Sequence, residues 1–193
     1  TILTGCIAAV LLGPPLAQGS FWLGAGIQKA TELQPFLMGI VLSVTMGMIL
    51  TLPISSAAIA IILGLSGLAG GASTAGCCAQ MIGFAVISFR DNGVNGLLAQ
   101  GLGTSMLQIP NIVKNPRIWI PPTLASAITG PLTTVVFKMK NLPAGSGMGT
   151  SGFVGPLLTW EAMIGESSGG YIIVSIALLY IILPAVLSFV CYE

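Results

Sequence analysis

The sequence predicts an all-α membrane protein, a polytopic bundle of hydrophobic helices in which some helices are broken or re-entrant. Hydrophobic residues make up 54% of the chain, charged residues make up 6%, and the mean hydropathy is +0.99. A soluble domain carries about 25% charged residues, so this chain cannot cover itself with polar surface in water. Its charges are clustered, and the intervals without charge run from 20 to 57 residues. Because a helix crosses the hydrocarbon core with about 20 apolar residues, every interval is long enough for a crossing.

The composition also argues against several functions. A net charge of +1 offers no basic surface for nucleic acid. The chain has no histidine, so it lacks the ordinary imidazole ligand for a metal and the commonest acid-base catalyst. Its four cysteines show no spacing typical of a zinc site or a redox motif. We therefore expect no metal, no cofactor and no catalytic residue, and we do not expect the chain to be an enzyme by itself.

The first half of the chain predicts four membrane passes. Residues 1–17 form an apolar run, and residues 18–34 read as an amphiphilic connector with Trp22 at the membrane interface. Residues 35–52 form a clean span, and residues 53–70 and 71–89 read as two more. The chain starts at Thr1 inside an apolar run, so we expect a fragment of a longer protein.

Small residues recur at every fourth position in two of these spans. One stripe contains Gly39, Ser43 and Gly47. The other contains Gly67, Gly71, Ala75, Ala79 and Gly83. Small residues on one face of a membrane helix allow another helix backbone to approach closely. We therefore expect tight helix crossings along both stripes.

The second half combines full spans with interrupted segments. Arg90 and Asp91 mark an aqueous boundary, and the apolar run 97–109 is only long enough for a half-membrane or re-entrant segment. Residues 118–137 and 171–192 are long enough to span. Glycine recurs too often in residues 142–160 for a stable helix, so this stretch should be buried in protein or line a wet cavity. The basic clusters leave the orientation undecided.

A weak internal similarity raises the possibility of an inverted repeat with halves 35–96 and 97–193. Residues 53–60 resemble residues 122–129, and residues 71–76 resemble residues 147–152. Chance among Gly, Ala and Ser is the alternative. If the repeat is real, Thr74, Thr150 and Ser151 face one another across a substrate site between the halves. Gln80 then supplies an amide to the solute, or else makes an interhelical hydrogen bond.

The most polar stretch is residues 108–122, in which asparagine, cationic and proline residues interrupt an apolar chain. One interpretation is a re-entrant tip that offers Asn111 and Asn115 to a polar ligand, while Lys114 or Arg117 attracts an anion. The other is an exposed loop anchored at the interface. Glu161 is likewise either a buried acceptor for hydroxyl groups or part of an exposed boundary.

Three segments carry a resemblance to a known family. QIPNIVKNPRIWIPPTLASAITGP, LPISSAAIAIILGLSGLAGG and SGMGTSGFVGP resemble the EIIC-like membrane proteins of the bacterial phosphotransferase system, in the branch that includes perfringolysin regulator-type proteins. The resemblance covers about residues 35–188 and is densest from 108 to 155. It implies a multi-pass protein of the bacterial inner membrane, related to sugar permeases, with a homodimer and a separate EIIB-type partner as its expected assemblies. Sugar EIIC proteins use a membrane-embedded histidine and glutamate, and here only Glu161 or Glu166 could fill the acidic role.

We therefore expect a permease that binds and translocates a sugar or a similar small polar solute. The alternative is a membrane-embedded sensor that binds the solute and signals to a partner. The expected substrate-binding residues are Thr74, Gln80, Asn111, Lys114, Asn115, Thr150, Ser151 and Glu161. The expected partners are the lipid bilayer, the solute and the EIIB-type protein, and not nucleic acid.

Overall fold

The computed structural model describes residue 18 and residues 22–192. The predicted helix 1–17 and Cys6 lie outside these residues. The described part of the chain is helical and contains no strand, which confirms the all-α fold class.

The first half forms five helices in the described region. They are α1 (residues 22–33), α2 (Pro35–Thr51), α3 (Ser56–Ile62), α4 (Gly67–Ile87) and α5 (Phe89–Leu98). A π-helical turn (Ala99–Gly103) and a 3₁₀ turn (Ser105–Gln108) follow.

The second half contains two long continuous helices and several short ones. The short helices are α6 (Ile109–Lys114), a 3₁₀ turn (Pro116–Trp119), α8 (Pro143–Ser146), a 3₁₀ turn (Ser151–Phe153) and α9 (Val154–Met163). Helix α7 (Ile120–Pro131) continues through a π-helical segment (Leu132–Val136). Helix α10 (Gly169–Ile176) continues through a π-helical segment (Ala177–Ile182) into α11 (Leu183–Tyr192).

Helix α4 lies at the centre of the bundle and packs against α2, α7 and α11. The crossing of α2 and α4 is close because both helices present glycine. A Cβ atom on Gly47 would lie 2.7 Å from the Gly76 carbonyl oxygen, and one on Gly76 would overlap the backbone of Ser43. The close approach predicted from the small-residue stripe of α2 is therefore confirmed at Gly47 and Ser43, whereas their neighbour on α4 is Gly76, which the predicted stripe of α4 does not include.

Long-range hydrogen bonds fix the direction of the helices. Ser43 Oγ donates to the Ser126 carbonyl oxygen (2.7 Å), and Thr134 Oγ1 donates to that of Pro35 (2.8 Å), so α7 runs antiparallel to α2. Ser126 Oγ also donates to the Gly76 carbonyl oxygen of α4 (3.3 Å). Gln80 Nε2 of α4 donates to Thr123 Oγ1 of α7 (3.2 Å), so these two helices are also antiparallel. The start of α7 and the end of α4 therefore lie at the same end of the bundle, which we call the cleft end.

One sequence prediction about the first half is wrong. Residues 53–70 do not form one pass, because α3 has seven residues and the chain turns at Gly64 and Gly67, whose φ angles are +60° and +59°. Ser55 starts α3 by accepting a hydrogen bond from the Ala58 amide (3.2 Å), which stabilises the short helix. Residues 22–33, predicted as a connector, are helical.

The segments of the suggested repeat differ in conformation. Residues 122–129 lie inside α7, whereas residues 53–55 precede α3. Residues 71–76 lie inside α4, whereas residues 147–152 form turns. The repeat halves stay a prediction.

Two described helices are long and apolar enough to cross a membrane, Gly67–Ile87 and Gly169–Tyr192. The first is almost wholly buried by its neighbours, while most of the second is not. On the second helix Ile173, Val174 and Val190 are 58%, 63% and 65% exposed. Such a row of exposed aliphatic side chains is unfavourable in water and favourable in lipid.

Candidate functional site

A polar cleft of about 370 Å³ opens at the cleft end of the bundle. It is lined by Phe84, Ile87, Ser88, Asp91, Asn92, Gln108, Asn111, Ile118 and Tyr192. Binding sites for small molecules are clefts of this size in which a few polar groups converge among apolar walls. It is therefore the candidate site of the molecule.

Breaks in the helices bring these side chains together. Helix α4 ends at Ile87, and Ser88 and Asp91 follow directly on the next turns. Gly93 then has a φ of +57°, which interrupts α5 and which L-residues rarely adopt. On the facing wall, Gln108 ends a 3₁₀ turn and Asn111 lies in α6, three residues later and on the same side.

A chain of amide hydrogen bonds runs into the cleft. Gln108 Nε2 donates to Oε1 of the buried Gln100 (3.0 Å), and Asn111 Nδ2 donates to Gln108 Oε1 (2.8 Å). These bonds fix the orientation of the Asn111 amide. Its Oδ1 atom has no hydrogen-bond donor among the described residues, so it can accept a bond from a ligand.

Asp91 provides the negative charge of the cleft. Its carboxylate makes no ion pair or hydrogen bond within the described part of the chain. The described residues that line the cleft include no lysine or arginine. The cleft therefore accepts hydrogen bonds strongly and repels anions.

This set of groups suits a polyhydroxy compound. The carboxylate and the amide oxygens accept from hydroxyl groups, and the free amide N–H groups donate to them. The Ser88 hydroxyl donates to the Ala85 carbonyl oxygen (3.5 Å), so its oxygen serves the ligand as an acceptor. Phe84 and Tyr192 add aromatic surface for the apolar faces of such a molecule. The chemistry points to a neutral sugar or polyol.

The family comparison agrees with this chemistry. The model of the family described as "Phosphotransferase system, EIIC" matches residues 1–193 of the sequence. The chain belongs to this EIIC family. EIIC proteins are the membrane components of sugar transport by the phosphotransferase system, and they act with an EIIB protein on a sugar substrate. Comparisons with curated proteins and with solved structures give no significant match.

Asn111 is the predicted binding residue that lines the cleft of this EIIC chain. Asn115 lines a neighbouring cavity. Lys114 and Glu161 are exposed and Ser151 is half-buried. Thr150 lies beside an apolar cavity, where its hydroxyl donates to the Gly101 carbonyl oxygen (2.6 Å).

Thr74 and Gln80 are fully buried in α4 and hydrogen-bond to other parts of the chain. Thr74 Oγ1 accepts from Asn141 Nδ2 (2.6 Å). Gln80 Oε1 accepts from Trp119 Nε1 (3.2 Å), and Gln80 Nε2 donates to Thr123 Oγ1 (3.2 Å). The expected meeting of Thr74, Thr150 and Ser151 across one site therefore has no counterpart in the cleft, and their binding roles stay predictions.

Part of the glycine-rich stretch 142–160 is buried against α3 and α4, which agrees with the prediction that it lies within protein. A Cβ atom on Gly149 would meet Cys77, and one on Gly147 would meet Ser56. Ser56 Oγ also donates to the Gly147 carbonyl oxygen (2.6 Å). Protein groups thus satisfy part of this irregular backbone.

The sequence reasoning did not select Ser88, Asp91, Asn92 or Gln108. Asp91 was interpreted as a boundary marker because it follows a long apolar run. A usable signal was the spacing of Gln108 and Asn111, which places two amides on one side of a short helix.

Proposed function

We propose that this EIIC chain is the sugar-binding permease of a phosphotransferase system and that the polar cleft holds the sugar. The observation that carries the proposal is the convergence of Asp91 and Asn111, both with free acceptor atoms, on a cavity of about 370 Å³. Family membership supplies the substrate class. Hydroxyl, amide and carboxylate groups replace the hydration of the sugar, so binding needs no titratable catalyst.

We further propose a multi-pass position in the bacterial inner membrane. The exposed apolar face of Gly169–Tyr192 supports it, because lipid is the environment in which that face costs no free energy. The charged residues Asp91 and Arg117 at the cleft end, and Lys140 and Glu166 at the other end, then lie near the two membrane surfaces.

Translocation requires that the cleft open alternately to each side. Residues 88–119 form short helical pieces separated by breaks, and most of their side chains are exposed. Such a segment can move with less loss of packing than the buried α4. We propose that this segment moves relative to α4 when sugar crosses.

Binding and uptake test the proposal together. Asp91→Asn and Asn111→Ala should each weaken binding of a neutral hexose or hexitol to the purified protein about tenfold, the effect of losing one hydrogen bond to a buried ligand. Asn95→Ala is the matched control, because Asn95 is an exposed amide of α5 outside the cleft lining. Equal affinity in all three variants would remove the cleft from the site.

Uptake into proteoliposomes separates the mechanisms. Uptake that requires phosphorylated EIIB supports the proposed permease, whereas uptake without a phosphoryl donor indicates facilitated transport. Binding without any uptake would instead favour the sensor that signals to a partner.

A further inference from the structure

A second cavity adjoins the polar cleft. Its volume is about 290 Å³, and it is lined by Asn115, Arg117, Ile118, Ile120, Pro121, Cys191 and Tyr192. Ile118 and Tyr192 line both cavities, so these two side chains form the wall between them. The two cavities are therefore adjacent, and only these two side chains are common to both linings.

The two cavities differ in charge. Asp91 gives the cleft a carboxylate, whereas the lining of the second cavity contains Arg117 and no acidic residue among the described residues. Arg117 has no ion-pair partner among the described residues. Its guanidinium group presents a planar fork of N–H donors that matches phosphate oxygens.

Local structure fixes the backbone that carries this donor group. Asn115 Oδ1 accepts a hydrogen bond from the Arg117 backbone amide (3.3 Å) and caps the turn Pro116–Trp119. Pro116 fixes the backbone at the start of that turn. The Asn115 side chain keeps its own N–H donors available, because the bond to Arg117 uses only its oxygen.

We propose that the second cavity binds the phosphate group of a phosphorylated sugar whose carbon skeleton lies in the cleft. This inference rests on the proposed function, since it assigns the cleft to the sugar. The carboxylate of Asp91 repels the phosphate and Arg117 attracts it, so the ester binds in one orientation. The neutral sugar and its phosphate ester share the cleft and differ only in the use of the second cavity.

Cys191 provides a natural reporter inside the second cavity. It is a free and exposed cysteine, whereas Cys77 and Cys78 are buried. In a Cys6→Ser background, its rate of reaction can be measured with an anionic and with a cationic methanethiosulfonate reagent. A Cys191→Ser variant gives the background rate.

Arg117 should favour the anionic reagent. Arg117→Gln should lower the ratio of the anionic to the cationic rate about fivefold, the effect expected of one nearby and partly screened charge. Arg117→Lys should restore part of the ratio. Lys29→Gln removes one positive charge on α1 instead, and should leave the ratio unchanged.

Ligand protection tests the phosphate itself. Inorganic phosphate should slow labelling of Cys191 in the wild type and not in Arg117→Gln. Among the 6-phosphates of glucose, mannose, galactose and sorbitol, at least one should protect at a concentration at least tenfold lower than inorganic phosphate. Asn111→Ala should reduce this advantage, because the sugar part binds in the cleft.

The results separate the two proposals. If neutral sugar binds and depends on Asn111, but labelling of Cys191 ignores phosphate and Arg117, the second cavity is not a phosphate subsite. If phosphate protects but no ester protects better, the subsite takes a free anion, and the assignment to a sugar ester is overturned. If no neutral sugar binds and the cleft variants change nothing, the proposed function itself fails.

Discussion

The close crossing of α2 and α4 makes a graded prediction about stability. Gly47 of α2 and Gly76 of α4 face each other, and a methyl group at either position meets the backbone of the other helix. Alanine at these positions should therefore destabilise the fold. The order of the effects follows from the room available, with Gly76→Ala worse than Gly47→Ala.

The magnitude follows from the contact distances. A Cβ atom at Gly47 would lie 2.7 Å from the Gly76 carbonyl oxygen. An ordinary C···O contact is about 3.3 Å, so the two helices must separate by about 0.6 Å. A gap of this size forfeits about a quarter of each dispersion contact across the crossing. Overpacking destabilises a fold by about 1–3 kcal/mol, whereas the better helix propensity of alanine stabilises it by about 0.5–1 kcal/mol. We therefore expect Gly47→Ala to lower the free energy of unfolding by about 1–2 kcal/mol.

Gly76→Ala should cost more, about 3 kcal/mol. Its methyl group would overlap the Ser43 backbone, so the helices would have to move further apart. That movement also stretches the hydrogen bond from Ser43 Oγ to the Ser126 carbonyl oxygen, which is 2.7 Å long. Both consequences act on the same contact between α2, α4 and α7.

Unfolding of the purified protein in mixed micelles, followed by tryptophan fluorescence, measures these free energies. Gly26→Ala is the matched control, because Gly26 lies inside α1 and nothing approaches its Cβ position within 4 Å. It should be neutral or stabilising by up to about 1 kcal/mol. If Gly76→Ala is as stable as Gly26→Ala, the close crossing of α2 and α4 is not present in the folded protein.

Three further predictions concern polar contacts. Asn141→Ala should destabilise the protein by about 2–4 kcal/mol, because the buried Asn141 side chain bonds to Thr74 Oγ1, the Gly155 carbonyl oxygen and the Leu142 amide. Denaturation measures the free energy of unfolding, and a loss below about 0.5 kcal/mol would contradict the prediction. A double-mutant cycle on the exposed pair Lys140–Glu166 (2.6 Å) should give a coupling energy below about 1 kcal/mol that falls with added salt. A larger coupling energy that does not depend on salt would show that the pair is shielded from water. Gln80→Leu should change the tryptophan emission spectrum, because it removes the acceptor of Trp119 Nε1, and an unchanged spectrum would show that this bond is absent.

The spans that the sequence predicted best are those with charges or prolines at their ends. Residues 35–52 correspond to α2 (Pro35–Thr51), and residues 171–192 correspond to the continuous helix Gly169–Tyr192. In both cases hydropathy and length determine the element, because a helix satisfies its own backbone in lipid.

The interruption within residues 53–70 could not be predicted from hydropathy. Residues 53–70 are apolar enough for a span, yet Gly64 and Gly67 adopt positive φ and the chain turns there. Nothing in an apolar composition distinguishes a glycine that turns from one that allows close packing, as Gly76 does. That choice depends on the neighbouring helices, which a single sequence does not specify.

Hydrogen-bonding capacity separates the structural polar residues from those of the cleft. The nitrogen and oxygen atoms of the Gln80 and Asn141 amides all have partners from other parts of the chain, so these residues fasten the bundle together. Asn111 and Asp91 keep acceptor atoms without partners in the described structure, next to a cavity. Unused acceptors are tolerable there because water or a ligand can reach them, whereas in lipid they would be unfavourable by several kcal/mol. From the sequence, Gln80 and Asn111 are equivalent candidates, and the structure distinguishes them by their hydrogen bonds: both ends of the Gln80 amide have partners, whereas Asn111 Oδ1 has none among the described residues.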